Sequence, residues 1–215
     1  IAIFIIYIKM IIKLCFIIAL LLIVSIIPIS HGIPQNIDIE VGDIVLMDGG
    51  NITSGCAVRL ISRSKFAHIG IINRIVDDEP YVLHCVSKLY PNDSRSCIIE
   101  TMLFSQKVLS RSRGIYIMKN ITAYNYKKYQ PENVKKYNNA KYSLFSGLIK
   151  KSNYYNCITF IQHILAKYNI SLNEMSVAFC QFNSVINELI SRNLFHRPIL
   201  IYSQPTIDIN YIKID

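Results

Sequence analysis

Phe66-Ala67-His68-Ile69-Gly70-Ile71-Ile72-Asn73-Arg74-Ile75-Val76, then Asp77-Asp78-Glu79-Pro80, then Tyr81-Val82-Leu83-His84-Cys85-Val86, is the stretch from which the fold is read. A run rich in β-branched residues breaks at a turn-forming quartet and resumes, so it reads as two antiparallel strands joined by a tight turn. Such a pair can set His68 and His84 side by side on one face.

Working outward, Asp43-Ile44-Val45-Leu46-Met47 after Gly42 reads as a strand. Cys56 to Arg63 reads as a short helix. Ile98-Ile99 and Gly114-Ile115-Tyr116-Ile117-Met118 read as further strands, and Pro198 to Tyr202 as a closing one. Thr122 to Asn139 is polar and Tyr/Lys-rich, either helix or loop. From Cys157, apolar residues recur at 158, 161, 164, 165 and 168, which is helical spacing. Phe179, Phe182, Val185, Ile186, Leu189 and Ile190 repeat it. No internal repeat is present. The expected class is α+β: a small, largely antiparallel sheet with helices packed on it.

The chain has 215 residues, of which 52% are hydrophobic and 17% charged, a globular composition. Residues 1–32 read as a signal peptide or a membrane anchor, and 33–215 as one domain, within the usual span of about 100–200 residues. From Met10, Lys13 supplies a positive start, Leu14 to Ile29 an apolar run, and Ser30-His31-Gly32 small residues for a cut after Gly32. Residues 1–9 lengthen the apolar stretch toward a bilayer span, the anchor reading. Either reading sends the domain into the secretory pathway, secreted or membrane-anchored. Sequons at Asn51, Asn92, Asn120 and Asn169 are glycosylation candidates that agree with this.

Net charge is +9. Lys127 to Lys151 holds seven lysines against one acid, Glu132. That is a solvated face, or attraction to an anionic membrane surface. No nucleic-acid-binding module is recognisable. Five cysteines follow the leader: Cys56, Cys85, Cys97, Cys157 and Cys180. An odd count in an oxidising compartment leaves one thiol over. With Cys157 as the leftover, the other four are disulfide candidates, in three possible pairings; buried free thiols are the alternative.

Cys157 stands at the expected start of a helix, where unpaired N–H groups favour a thiolate and can hold an oxyanion. A thiol nucleophile needs an imidazole as base, and the imidazole needs a third group to orient it. His68 and His84 are the candidates. His163, six residues along the cysteine helix, reads as a packing or surface residue, and Asp43 as the opening of a strand or turn. No Cys/His spacing makes a zinc site, and no cofactor motif is present.

Gly42-Asp43-Ile44, Ala67-His68-Ile69-Gly70-Ile71, Tyr81-Val82-Leu83-His84 and Tyr155-Asn156-Cys157, in that order, resemble the permuted papain-like amidases. These are the YiiX/YaeF group of the NlpC superfamily, with poxviral relatives. The resemblance covers roughly residues 40–203, including Phe195-His196-Arg197-Pro198 before the last strand. It implies a circularly permuted papain-like fold, with Cys157 as nucleophile, His68 as base and His84 as third residue. It also implies attack on an amide, ester or thioester carbonyl through an acyl-enzyme, with a peptide, acyl-amide or lipid as substrate. The family pattern usually has Glu where this chain has His84, Tyr-Cys-Ser-Glu where it has Asn156-Cys157-Ile158-Thr159, and Tyr-Asp where it has Tyr142-Ser143. Those differences motivate a second expectation, a catalytically inactive binding protein on the same fold. A third is a membrane structural protein anchored by residues 1–29.

Overall fold

The computed structural model describes residues 37–49, 62–87, 96–121, 130–149, 152–174, 177 and 181–204. The expected helix from Cys56, the leader, Cys180, Asn51 and Asn92 lie wholly or mainly outside them. All described residues fall in one compact unit, Gly32–Gln204.

Six strands form one antiparallel sheet: β1 (Ile44–Gly49), β2 (Phe66–Val76), β3 (Glu79–Cys85), β4 (Ile98–Met102), β5 (Ser112–Met118) and β8 (Ile199–Ser203). Their order across the sheet is β4-β3-β2-β1-β5-β8. β6 (Lys141–Tyr142) and β7 (Tyr154–Tyr155) form a separate parallel pair. Among the described residues the named helices are α1 (Gln106–Leu109), α2 (Ser146–Ile149), α3 (Cys157–Ala166) and α4 (Phe182–Ser191), and a 3₁₀ turn spans Val134–Tyr137. The α+β, antiparallel expectation holds.

The β2–β3 hairpin closes through Asp77 and Asp78, both at positive φ (52° and 64°), with Val76 paired to Glu79. Positive φ at both central positions is the two-residue turn whose twist suits a hairpin, and Asp tolerates it. Two irregularities interrupt β2. Asn73 is an extra residue between the pairs Ile72–Val82 and Arg74–Tyr81. Its freed amide serves the segment before the 3₁₀ turn: Oδ1 accepts from the Glu132 N–H at 2.7 Å, and Nδ2 donates to the Glu132 carbonyl at 3.1 Å and to Glu100 Oε1 at 2.6 Å. Ala67 is the second extra residue, between Met47–His68 and Asp48–Phe66.

Alternation along the strands sends side chains to two apolar layers. Ile44, Leu46, Ile69, Ile71, Leu83 and Cys85 join Phe160, Ile161 and Ile164 of α3 and Val185 and Leu189 of α4. Val45, Met47, Ile72, Val82, Ile115 and Ile117 join Val108 of α1 and Tyr202 of β8. Each side chain so removed from water stabilises the fold by about 1.5–3 kcal/mol. At the sheet's margin Asp43 is fully buried. It accepts from Lys119 Nζ at 2.9 Å and from the backbone N–H groups of Glu40 and Asn120 at 2.8 and 2.9 Å. It opens β1 as expected and acts as a clamp between distant segments. Burial pushes its carboxyl above the usual range, against the three donors that pull it down.

Candidate active site

α3 begins where the sequence reading placed it, and its start is doubly capped. Asn156 Oδ1 accepts the Thr159 N–H at 2.8 Å, and Thr159 Oγ1 accepts the Asn156 N–H at 2.8 Å, a reciprocal capping box. Asn156 is buried, and its Nδ2 donates to the Leu144 carbonyl at 3.0 Å. Thr159 Oγ1 also meets Ser146 Oγ at 2.9 Å. The turn before α2 is therefore bolted to the helix that presents Cys157. The residues doing this were visible as Asn-x-x-Thr, a helix-start pattern, yet only the cysteine within it was singled out.

His68 and His84 come together. Gly70 stands opposite His84 in the register, and His68 Nε2 lies 2.7 Å from His84 Nδ1. His84 Nε2 in turn lies 3.0 Å from Thr101 Oγ1 on β4, a partner the sequence did not reveal. Two tautomer chains satisfy both bonds. In one, His68 donates to His84, which donates to Thr101, and His68 Nδ1 is left as a lone-pair base. In the other, Thr101 donates first and His68 Nδ1 carries the proton. Burial lowers the His68 pKa to about 4. His84 is held well below its ordinary value by burial first, then by the charges of His68 and Lys107. Both rings are neutral at pH 7, and an imidazolium forms there only against a negative charge.

Cys157 sits in the other layer. It is buried, on the α3 face of the sheet, with Cys85 and Cys97. Burial pushes the Cys85 thiol well up, and its Cys97 and Cys157 neighbours push it further. Cys85 Sγ also lies 3.6 Å from the carbonyl of Tyr155, two residues before Cys157. His84, between Leu83 and Cys85, points the opposite way, toward Val82 and Thr101. Cys157 and the two histidines thus lie on opposite faces of the sheet. The two halves instead converge on consecutive residues of one strand end, His84 and Cys85. Among the described residues, β2 before Gly70 pairs with β1 alone, and His68 lies in that part.

The expected disulfides need correction where they can be seen. Cys85 and Cys97 are not joined in a disulfide: their Sγ atoms stand 3.5 Å apart, where a bond requires about 2.05 Å. They occupy diagonal positions on β3 and just before β4, buried among apolar side chains, where a thiol behaves as a small hydrophobe. Of the glycosylation candidates, Asn169 is exposed at positive φ, 60°, and Asn120 is half-buried in a bridge to Phe195. His163 stands between the rings of Tyr137 and Tyr155, with centroids 6.0 and 5.6 Å away. These three residues, Lys136 and Lys167 line a pocket of about 280 Å³. Inside the fold beside it, Glu132 holds Lys167 at 2.9 Å and accepts from the Tyr137 hydroxyl at 3.1 Å. Among the described residues no group of three or more His, Cys, Asp or Glu side chains is placed to hold a metal ion.

No protein-family model matches the chain, and no curated protein matches it significantly. A solved structure described as metalloprotein YiiX from Escherichia coli O157:H7, DUF1105, is similar, with 14% identity and a TM-score of 0.46. The match covers 75% of this chain and 88% of that one. A likeness of that degree carries nothing about the reaction; it bears the same group name as the family that the motifs resemble.

Proposed function

We propose that the chain is a cysteine-dependent hydrolase or acyltransferase of the permuted papain-like kind, acting on an amide, ester or thioester. The supporting observation is the hydrogen-bonded series His68–His84–Thr101, whose middle residue precedes Cys85, the thiol that neighbours Cys157. In this reading the Cys157 thiol attacks the carbonyl carbon and His68 accepts its proton. His84, held by Thr101, fixes the His68 ring. The amide groups at the start of α3, apart from the capped Thr159 N–H, receive the developing oxyanion. His68 then returns the proton to the leaving group, and water or an acceptor releases the acyl group from sulfur.

The reading requires His68 and Cys157 to come within hydrogen-bond reach around the end of β3 when substrate binds. Catalytic contacts are often loose without substrate. A panel of acyl thioesters and activated esters tests it: intact-mass analysis should trap an acyl group mapped to Cys157. Turnover that survives Cys157→Ala would sink the proposal.

A specific observation favours a second reading. The thiol and the imidazoles sit on opposite faces of the sheet, and Cys157 keeps company with two other buried thiols. On that reading the protein is a non-catalytic binding module, and Cys157→Ser leaves its function intact.

A further inference from the structure

Phe145 and Leu148 are the two most exposed large apolar side chains among the described residues, at 60% and 53%. They stand three residues apart across the start of α2, so they share one face. Their exposure does not come from a loose loop. Ser146 between them is buried, its hydroxyl 2.9 Å from Thr159 Oγ1, and the Leu148 N–H donates to the Phe145 carbonyl at 3.0 Å. The turn is anchored by its polar side and presents its apolar side to solvent.

The stretch that carries the pair is basic, with the nearest acid in sequence, Glu132, 3.9 Å from Lys136. From Asn133 to Lys151 the sequence contains five lysines and no Asp or Glu. Lys135, Lys136 and Lys141 are exposed. A two-fold contact of this patch with a second copy would bring lysines against lysines. A protruding apolar pair carried on a lysine-rich stretch fits a flat anionic interface into which two side chains can sink.

We propose that the turn Leu144–Leu148 docks the protein on an anionic lipid bilayer, with Phe145 and Leu148 inserted among the acyl chains and the lysines on the headgroups. The same turn bonds Asn156 and Thr159 of the α3 cap, so docking brings the start of the cysteine helix to the membrane surface. Docking itself is independent of thiol chemistry. If the hydrolase reading also holds, its substrates are those presented at a bilayer.

The chain contains no tryptophan, so Phe145→Trp places a single reporter at the tip. The full-length variant is mixed with phosphatidylcholine vesicles, with or without phosphatidylserine. The phosphatidylserine vesicles should blue-shift its emission, and brominated acyl chains should quench it; phosphatidylcholine alone should do neither. Ile75→Trp, on the distant hairpin, should stay water-exposed throughout. Replacing Lys135, Lys136 and Lys141 by Glu in the reporter background should weaken the response at least about a hundredfold, at roughly 1 kcal/mol per lysine. Cys157→Ser should leave it unchanged, which separates docking from catalysis. The proposal fails if the Phe145→Trp emission stays water-like on vesicles that the chain sediments with, because the apolar N-terminal run then does the binding. It also fails if the emission shifts on self-association without lipid.

Discussion

Asn156→Ala is the substitution whose cost the structure specifies most fully. The change removes two side-chain bonds together. The cap on the Thr159 N–H is worth about 1 kcal/mol. The Leu144 carbonyl loses its donor inside the fold, which costs about 1–3 kcal/mol. The reciprocal Thr159 bond to the Asn156 N–H survives, since it uses only backbone at position 156. The sum is about 2–4 kcal/mol, or roughly 4–16 °C in Tm for a domain of this size. Asn156→Asp separates the two losses. It keeps the cap and adds a favourable negative charge at a helix start, but turns an acceptor oxygen toward the Leu144 carbonyl. Urea unfolding followed by circular dichroism should rank parent, Asp and Ala in that order, with unchanged m. Asn156→Ala within about 0.5 kcal/mol of the parent would refute the capping account. So would a fall in m, which would mean the state had changed rather than its stability.

Three further outcomes follow from the sheet. Gly70→Ala would drive a Cβ into Val82 Cγ1 and against His84 Cβ, so it should cost about 1–3 kcal/mol and disturb the histidine pair, read as altered imidazole NMR shifts. Stability should fall as pH drops from about 6.5 toward 4. His68 has a folded pKa of about 4, below its unfolded value, so the unfolded chain takes up the proton first. That contributes up to about 3 kcal/mol of stability present above pH 6.5, and His84 adds in the same direction. Raised Asp43 opposes it at the acid end. A pH series of urea midpoints should show the slope, and His68→Gln should flatten it. Finally, Cys85 and Cys97 should resist alkylation in the native protein and label only in denaturant.

Much of the sheet was legible because its signals are local. The Phe66–Val76 run has the bounds of β2, and the Asp-Asp pair does form the hairpin turn. The α3 start at Cys157 followed from periodicity and a polar turn. What escaped the reading is non-local or too short to carry a period. β6 and β7 are two residues each and pair in parallel across a long connection. α1 and α2 are single turns. The extra residues Ala67 and Asn73 exist only relative to partner strands, and no one-strand pattern reveals them. The same limit applies to the site. Spacing could set His68 beside His84, because a hairpin joins them. It could not say which face of the sheet α3 would cover, and that face is what separates Cys157 from the imidazoles. Thr101 became visible only once β4 was in place.

The most direct test of the central claim is the reactivity of Cys157 toward a thiol probe across pH, mapped by mass spectrometry, in the parent and in His68→Ala. A nucleophile served by His68 labels first among the cysteines, with an apparent pKa below the free-thiol value of about 8.5, and His68→Ala slows it at least about tenfold. A Cys157 that labels no faster than Cys85 and Cys97, and is indifferent to His68→Ala, would contradict the hydrolase account and leave the binding module.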